Sequence, residues 1–154
     1  MQSLVTDEIN EKYLNALIAG DRIHCTEIVR DLIKKEIQIP DLYLNLFQRS
    51  LYRTGELWEQ NRVSVSVEHL ATAITERLMA LVEPKIFAGG FRRHSVIVAC
   101  VADEYHQIGA RMVADLFELV ADVEDRGAFG RQLAQGFEQD VHLLRGEHLS
   151  LIHI

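Results

Sequence analysis

Over the first half of the chain, apolar positions recur at three- and four-residue intervals, the repeat that places side chains on one face of a helix. Tyr13, Leu14, Leu17 and Ile18 form the first such stripe. In the second, Val29, Leu32 and Ile33 face inward while Arg30, Lys34 and Lys35 face water. Leu42, Leu46, Phe47, Leu51 and Trp58 make a third, and Leu70, Ala73, Ile74, Leu78, Leu81 and Val82 a fourth. Polar residues punctuate these stripes where helices should begin and end. Thr6 suits a helix cap, and Asp7 and Glu8 after it suit the positive end of the helix dipole. Gly20 ends that helix and Asp21 caps the next. Ile39-Pro40 is expected to stop the second helix, because the residue before proline is pushed out of helical geometry and proline lacks the donor. A third helix then starts near Asp41. Glu59-Gln60-Asn61-Arg62 is a polar break, and Ser64 or Ser66 caps a fourth helix running to about Phe87. Four amphipathic helices joined by short loops predict a compact bundle.

The pattern changes after that. Gly89-Gly90-Phe91-Arg92-Arg93 reads as a linker, and His94 to Val101 is a near-continuous β-branched run without polar alternation. Such a run predicts a buried parallel strand. The polar turn Glu104-Tyr105-His106-Gln107-Ile108-Gly109 follows, and then Ile108, Met112, Val113, Leu116, Phe117 and Val120 return to helical spacing. A strand, a turn and a helix begin an open α/β sheet, which binds ligands at the carboxyl ends of its strands. His106 falls at that position. The expected organisation is a helical bundle over 1–88, a linker over 89–94, a first β–α unit over 95–121 and an atypical segment over 122–154.

Charge and composition narrow the function. The formal charge of −7 with 16 Lys and Arg among 154 residues argues against nucleic-acid binding, which needs clustered cations. No run approaches the roughly 18 apolar residues of a membrane span, and the N-terminus has no charged region followed by an apolar one. A cytoplasmic protein is the expectation. Cys25 and Cys100 have no close spacing that would suggest zinc or a redox pair, and are read as reduced core residues.

Three features could carry chemistry. His106 is either a turn histidine satisfied by a neighbour's hydrogen bond or a metal ligand. A ligating imidazole usually donates its other nitrogen to a carboxylate, and Glu104 is two residues away. Gly109 would let a bulky ligand approach the backbone closely. The second feature is Trp58, separated by nine residues from Glu68-His69. Either Trp58 is core and Glu68-His69 a solvated helix start, or an aromatic, a carboxylate and an imidazole line a pocket at one mouth of the bundle. The third is His142, His148 and His153, whose spacings of six and five match no helical face and no standard zinc motif. His24 and His94 have no evident partners. No residue reads as an independent nucleophile or acid–base pair, so no enzymatic activity is expected.

Taken together, Glu104-x-His106-x-x-Gly109 and the Trp58-x9-Glu68-His69 spacing resemble the methionine-synthase-type cobalamin-binding proteins, from about residue 6 to about residue 120. These pair a four-helix cap with an α/β domain bearing Asp-x-His-x-x-Gly. The resemblance implies a mainly α chain: a four-helix bundle cap followed by the start of a Rossmann-like, flavodoxin-like α/β domain that is incomplete here. It further implies that His106 is the lower axial ligand of cobalt and that the cap covers the upper face. The family's Asp is Glu104, and the residue after the histidine, often Asp, is Gln107.

Gly55-Glu56-Leu57-Trp58-Glu59 and Glu68-His69-Leu70-Ala71-Thr72-Ala73 look most like the adenosylcobalamin-dependent photoreceptor branch. There the resemblance implies that Trp58 packs against the adenosyl group and Glu68 hydrogen-bonds to it. It also implies that His69 would be positioned to contact cobalt once light removes adenosyl. Adenosylcobalamin is therefore preferred over methylcobalamin, with the corrinoid methyl carriers as the alternative. The branch's DNA-binding helix-turn-helix is not recognisable, so output through a protein signalling partner is expected, and a homo-oligomer is compatible with this. Nor are the Ser-x-Leu and Gly-Gly elements that hold the cofactor's nucleotide tail. Arg126 to His148 reads as weakly helical, with Gly127, Gly130 and Gly136 weakening it. A truncated or frame-shifted member is the expectation, with the foreign stretch beginning close to Ala121. A lone parallel strand would leave both its edges unpaired. The remaining alternative is a helical interaction module without cofactor.

Overall fold

A computed structural model describes residues 3–87, 97–100, 107–121 and 149–152. The chain divides into two compact units, Met1–Val82 and Glu83–Ile154. The first is a four-helix bundle. Helix α1 (Asp7–Ile18) and helix α2 (Arg22–Lys34) are followed by a long rod and then by α5 (Val65–Met79). The rod runs without a break through α3 (Ile39–Asp41), a π-helical segment (Leu42–Gln48) and α4 (Arg49–Glu59). Helix α1 packs against α2, α4, α5 and the π segment, and α5 also packs against α2 and α4.

The starts of α1, α2 and α5 each have a side chain supplying an acceptor to an otherwise unpartnered backbone donor. Thr6 accepts from the N–H of Ile9, Asp21 from that of His24 and Ser64 from that of Val67. The three turns between the helices share one construction. Gly20, Glu36 and Asn61 have φ of 71°, 58° and 57°, and in each turn that residue and the next reach back to the helix they leave. Gly20 N donates to Leu17 O at 3.0 Å and Asp21 N to Ala16 O at 2.9 Å. Glu36 N donates to Ile33 O at 3.0 Å and Ile37 N to Leu32 O at 3.1 Å. Asn61 N and Arg62 N donate to Trp58 O and Leu57 O, both at 2.8 Å. Two carbonyls in the last turn of α1, α2 and α4 are thereby satisfied, which is how a left-handed residue stops a helix.

Of those three residues glycine tolerates positive φ at no steric cost and asparagine at little, whereas glutamate is strained there. Exchanging Glu36 for Gly is expected to stabilise the bundle by about 0.5–1 kcal/mol, since Glu36 is exposed. Chemical denaturation checks this, and a loss of stability would mean that the glutamate side chain makes a contact worth more than the strain.

The second helix ends earlier than the Ile39-Pro40 dipeptide requires. Lys35 and Glu36 close it, and Pro40 sits in the first turn of α3, where its missing N–H has no partner to lose. Beyond it, the π segment widens the helix. Its i→i+5 bonding places adjacent residues on the inner face, so Leu42 with Tyr43 and Leu46 with Phe47 are all fully buried. The carbonyl of Asn45 in this segment accepts from Nδ2 of buried Asn10 at 2.9 Å. Tyr13, Tyr43 and Phe47 make the aromatic centre of the core.

Two expectations about the fourth helix are corrected. It ends at Met79, capped by Ala80, and the chain re-enters a short helix, α6 (Glu83–Ile86), because Pro84 cannot donate to a carbonyl four residues back. Its buried face is Ala71, Ile74, Thr75, Leu78 and Met79, while Leu70 and Ala73 are exposed. The line through Leu70 and Ala73 arrives at Arg77, so the neighbouring line is the apolar one.

Cys25 lies wholly inside the bundle. Burial, aided by the charge of Asp21, pushes its thiol up from 9.0 to about 11. Tyr13 is pushed up for the same reason. A group whose anion is disfavoured by folding stabilises the fold below its unfolded pKa and loses that effect as pH rises towards its folded value. This contribution is therefore expected to be constant below about pH 9 and to be lost as pH rises from about 9 to about 11. Denaturation midpoints across that range check this, and Cys25→Ala should remove part of the slope.

In the second unit, β1 (Ile97–Cys100) packs against α7 (Ile108–Ala121), and α6 also packs against α7. Arg111 of α7 forms an ion pair with Glu83 of α6. Ile108, Met112, Val113 and Leu116 are buried and Phe117 half-buried, as the helical spacing predicts. The strand differs from expectation in its partner. It pairs antiparallel with β2 (Leu149–Ile152), Ile97 opposite Ile152 and Cys100 opposite Leu149. A strand edge presents unsatisfied donors and acceptors, and the apolar end of this chain fills one edge that was expected to be bare. Among the described residues no helix is long and apolar enough to cross a membrane.

Candidate functional site

Helices α4 and α5 pack together and are joined by residues 60–64. The closed turn at Asn61 takes its two bonds from the carbonyls of Leu57 and Trp58. Trp58 is therefore tied by its own backbone to the turn that leads to Ser64, and Ser64 fixes the first turn of α5, where Glu68 and His69 lie. This local geometry brings the end of one helix and the start of the next to the same end of the bundle.

Trp58 is not a core residue, correcting the expectation that it closes the third inward stripe. Its neighbour Leu57 fills that place at 8% exposure, leaving Trp58 46% exposed. A solvent-facing indole on a bundle of this size keeps a large apolar surface available. One turn earlier, a Cβ added at Gly55 would meet nothing within 4 Å. A glycine inside a helix costs about 1 kcal/mol against alanine, and here no crowding explains it.

Glu68 and His69 are in hydrogen-bonding contact, with His69 Nδ1 2.7 Å from Glu68 Oε2. The carboxylate side chain is only 21% exposed and the imidazole 60%. The other carboxylate oxygen, Oε1, accepts from Thr72 Oγ1 at 3.3 Å. Thr72 is outside the Trp-x9-Glu-His pattern. Its signal in the sequence is the spacing of four from Glu68, which stacks the two on one helical face. The imidazole thus carries a carboxylate on one nitrogen, the arrangement in which histidines commonly bind metals through the other.

In the second unit, Gly109 is in the first turn of α7 and a Cβ there also meets nothing within 4 Å. Glu104 and His106 lie outside the described residues, as do His94, His142, His148 and His153. Among the described residues no group of three or more His, Cys, Asp or Glu side chains could hold a metal ion. The bundle thus carries a half-exposed indole at the end of α4 and a carboxylate held beside an imidazole at the start of α5.

A comparison with curated proteins gives no match. A family model described as a B12 binding domain matches residues 9–83. That stretch contains Trp58, Glu68 and His69 and nearly all of the four helices. The first unit is thus similar over most of its length to a B12 binding domain, and the match supports a cobalamin-binding helical domain there.

Proposed function

We propose that this chain is a cobalamin-binding sensory module, adenosylcobalamin being the form it holds, and that it does no catalysis of its own. The observation that carries this reading is the half-exposed Trp58 at the end of α4 and the Glu68–His69 pair at the start of α5, two helices that pack together within the stretch that matches a B12 binding domain. The residues present fit the upper face of such a cofactor. Trp58 would lie against the adenosyl group and exclude water from it, and the Glu68 carboxylate would accept its hydroxyl or amino donors. His69 would meet cobalt through Nε2, its Nδ1 being turned to Glu68. His106, with Gly109 leaving room, would take the lower position, and Glu104 would orient it. The cofactor itself supplies a cobalt–carbon bond that light can break, and the protein's part is to position and tune it. In the cell this module would act in the cytoplasm through a protein signalling partner or a second copy of itself.

An absorption titration of the purified chain with adenosylcobalamin in the dark tests this. The expected result is a shift to the spectrum of a cofactor that has lost its own lower base, absent or much weakened in His106→Ala. After illumination, a further change that requires His69 supports a sensor. Absence of any spectral change in the parent chain would overturn the cofactor assignment and leave a helical interaction module.

A further inference from the structure

We propose that Thr72 is the positioning residue of the site, holding Glu68 so that the carboxylate presents one oxygen to His69. The proposal rests on the reading above for its ligand, and on geometry alone for the three residues. The two oxygens of Glu68 have separate partners: Oε1 accepts from Thr72 Oγ1 at 3.3 Å, and Oε2 lies 2.7 Å from His69 Nδ1. A carboxylate held by one oxygen still rotates about its last bond, a broad and soft torsion. Held by both, its plane is set.

The placement of Thr72 suits the task. It is four residues after Glu68 on the same helix and half-buried, so its hydroxyl reaches Glu68 from the side of the bundle. Thr75, three residues on, spends its own hydroxyl differently, on the backbone carbonyl of Ala71 at 2.9 Å. A threonine inside a helix ordinarily makes that backward bond. At Thr72 the hydroxyl is directed to a carboxylate instead. A hydrogen bond to a charged acceptor is stronger than one to a neutral one.

The consequence reaches His69. With Oε2 fixed, Nδ1 of the imidazole keeps its proton facing the carboxylate, and the ring presents Nε2 to a metal. If Oε2 wanders, an exposed imidazole reverts to a mixture of both tautomers. Thr72 therefore sets which nitrogen of His69 is the ligand, without touching cofactor itself.

The test uses the full chain with Thr72→Val, which keeps the shape and removes the donor, and Thr72→Ser, which keeps the donor. The first readout needs no cofactor: nitrogen-15 shifts of the His69 ring report its tautomer. The expected result is an Nδ1–H form in the parent chain, a mixture in Thr72→Val, and recovery in Thr72→Ser. Identical His69 shifts in all three chains would overturn the proposal. The second readout is adenosylcobalamin affinity, expected to fall about threefold to tenfold in Thr72→Val and to recover in Thr72→Ser. Should the parent chain bind no cobalamin, the cofactor reading fails while the tautomer still decides the role of Thr72. Should cobalamin bind with unchanged tautomers, the cofactor reading stands and the proposal fails.

Discussion

Truncating Phe47 to alanine is expected to lower the stability of the bundle by about 3–5 kcal/mol. The ring is fully buried, with its centroid 6.0 Å from that of Tyr13 and 5.7 Å from that of Tyr43, tilted against both. Removal takes away the transfer energy of the ring, leaves a cavity and breaks two aromatic contacts worth about 0.5–1.5 kcal/mol each beyond their area. Phe47 is also in the π segment, where the wide turn has brought Leu46 inside with it. Neighbours on so crowded a face have little freedom to close the hole. A small domain has roughly 5–15 kcal/mol in all, so the variant should be near the edge of folding. Chemical denaturation would register the loss as a lower midpoint at unchanged slope. Phe47→Leu should cost much less, and a cost below about 1 kcal/mol for alanine would contradict the packing described.

The second large effect is on binding. Trp58→Ala is expected to weaken adenosylcobalamin about tenfold or more while changing methylcobalamin much less, because only the larger upper group would reach the indole. Tenfold corresponds to about 1.4 kcal/mol, modest for a large aromatic contact surface. Because Trp58 is half-exposed and Leu57 does the packing, stability should barely change, so a loss of affinity would not be a loss of fold. Paired titrations with the two cobalamins check this. Equal losses would argue against the adenosyl pocket and in favour of a methyl carrier, whose helical domain shields a smaller group.

How far the sequence reveals this molecule depends on whether a feature is local. Thr6, Asp21 and Ser64 are caps that their own next residues explain, and each is used as such. Gly20 likewise marks its turn. Glu36 does not, since glutamate carries no preference for positive φ and its conformation is imposed by the bonds at Ile33 and Leu32. The π segment is equally hidden: Leu42, Leu46 and Phe47 read as part of an ordinary apolar stripe, and nothing in that spacing brings Tyr43 inside with them. On the fourth helix Ile74 and Leu78 are buried as their spacing predicts, while Leu70 and Ala73 lie on a line that ends at Arg77 and give way to Ala71 and Thr75. At the site, the spacing of Trp58 and Glu68-His69 points to a shared end of the bundle. The role of Thr72 does not follow from that motif, because it depends on where one hydroxyl turns. The partner of β1 was beyond reach for a different reason: it comes from about 50 residues later in the chain.

The three closed turns of the bundle also bear on how the protein is made. Every contact in those turns is between residues a few positions apart, and successive helices are joined by short loops. Chains rich in such near-neighbour contacts fold in about microseconds to milliseconds, whereas a ribosome adds about 5–20 residues per second. The first unit would accordingly be assembled, with its Trp58 end already shaped, several seconds before the strand that pairs with β1 leaves the ribosome.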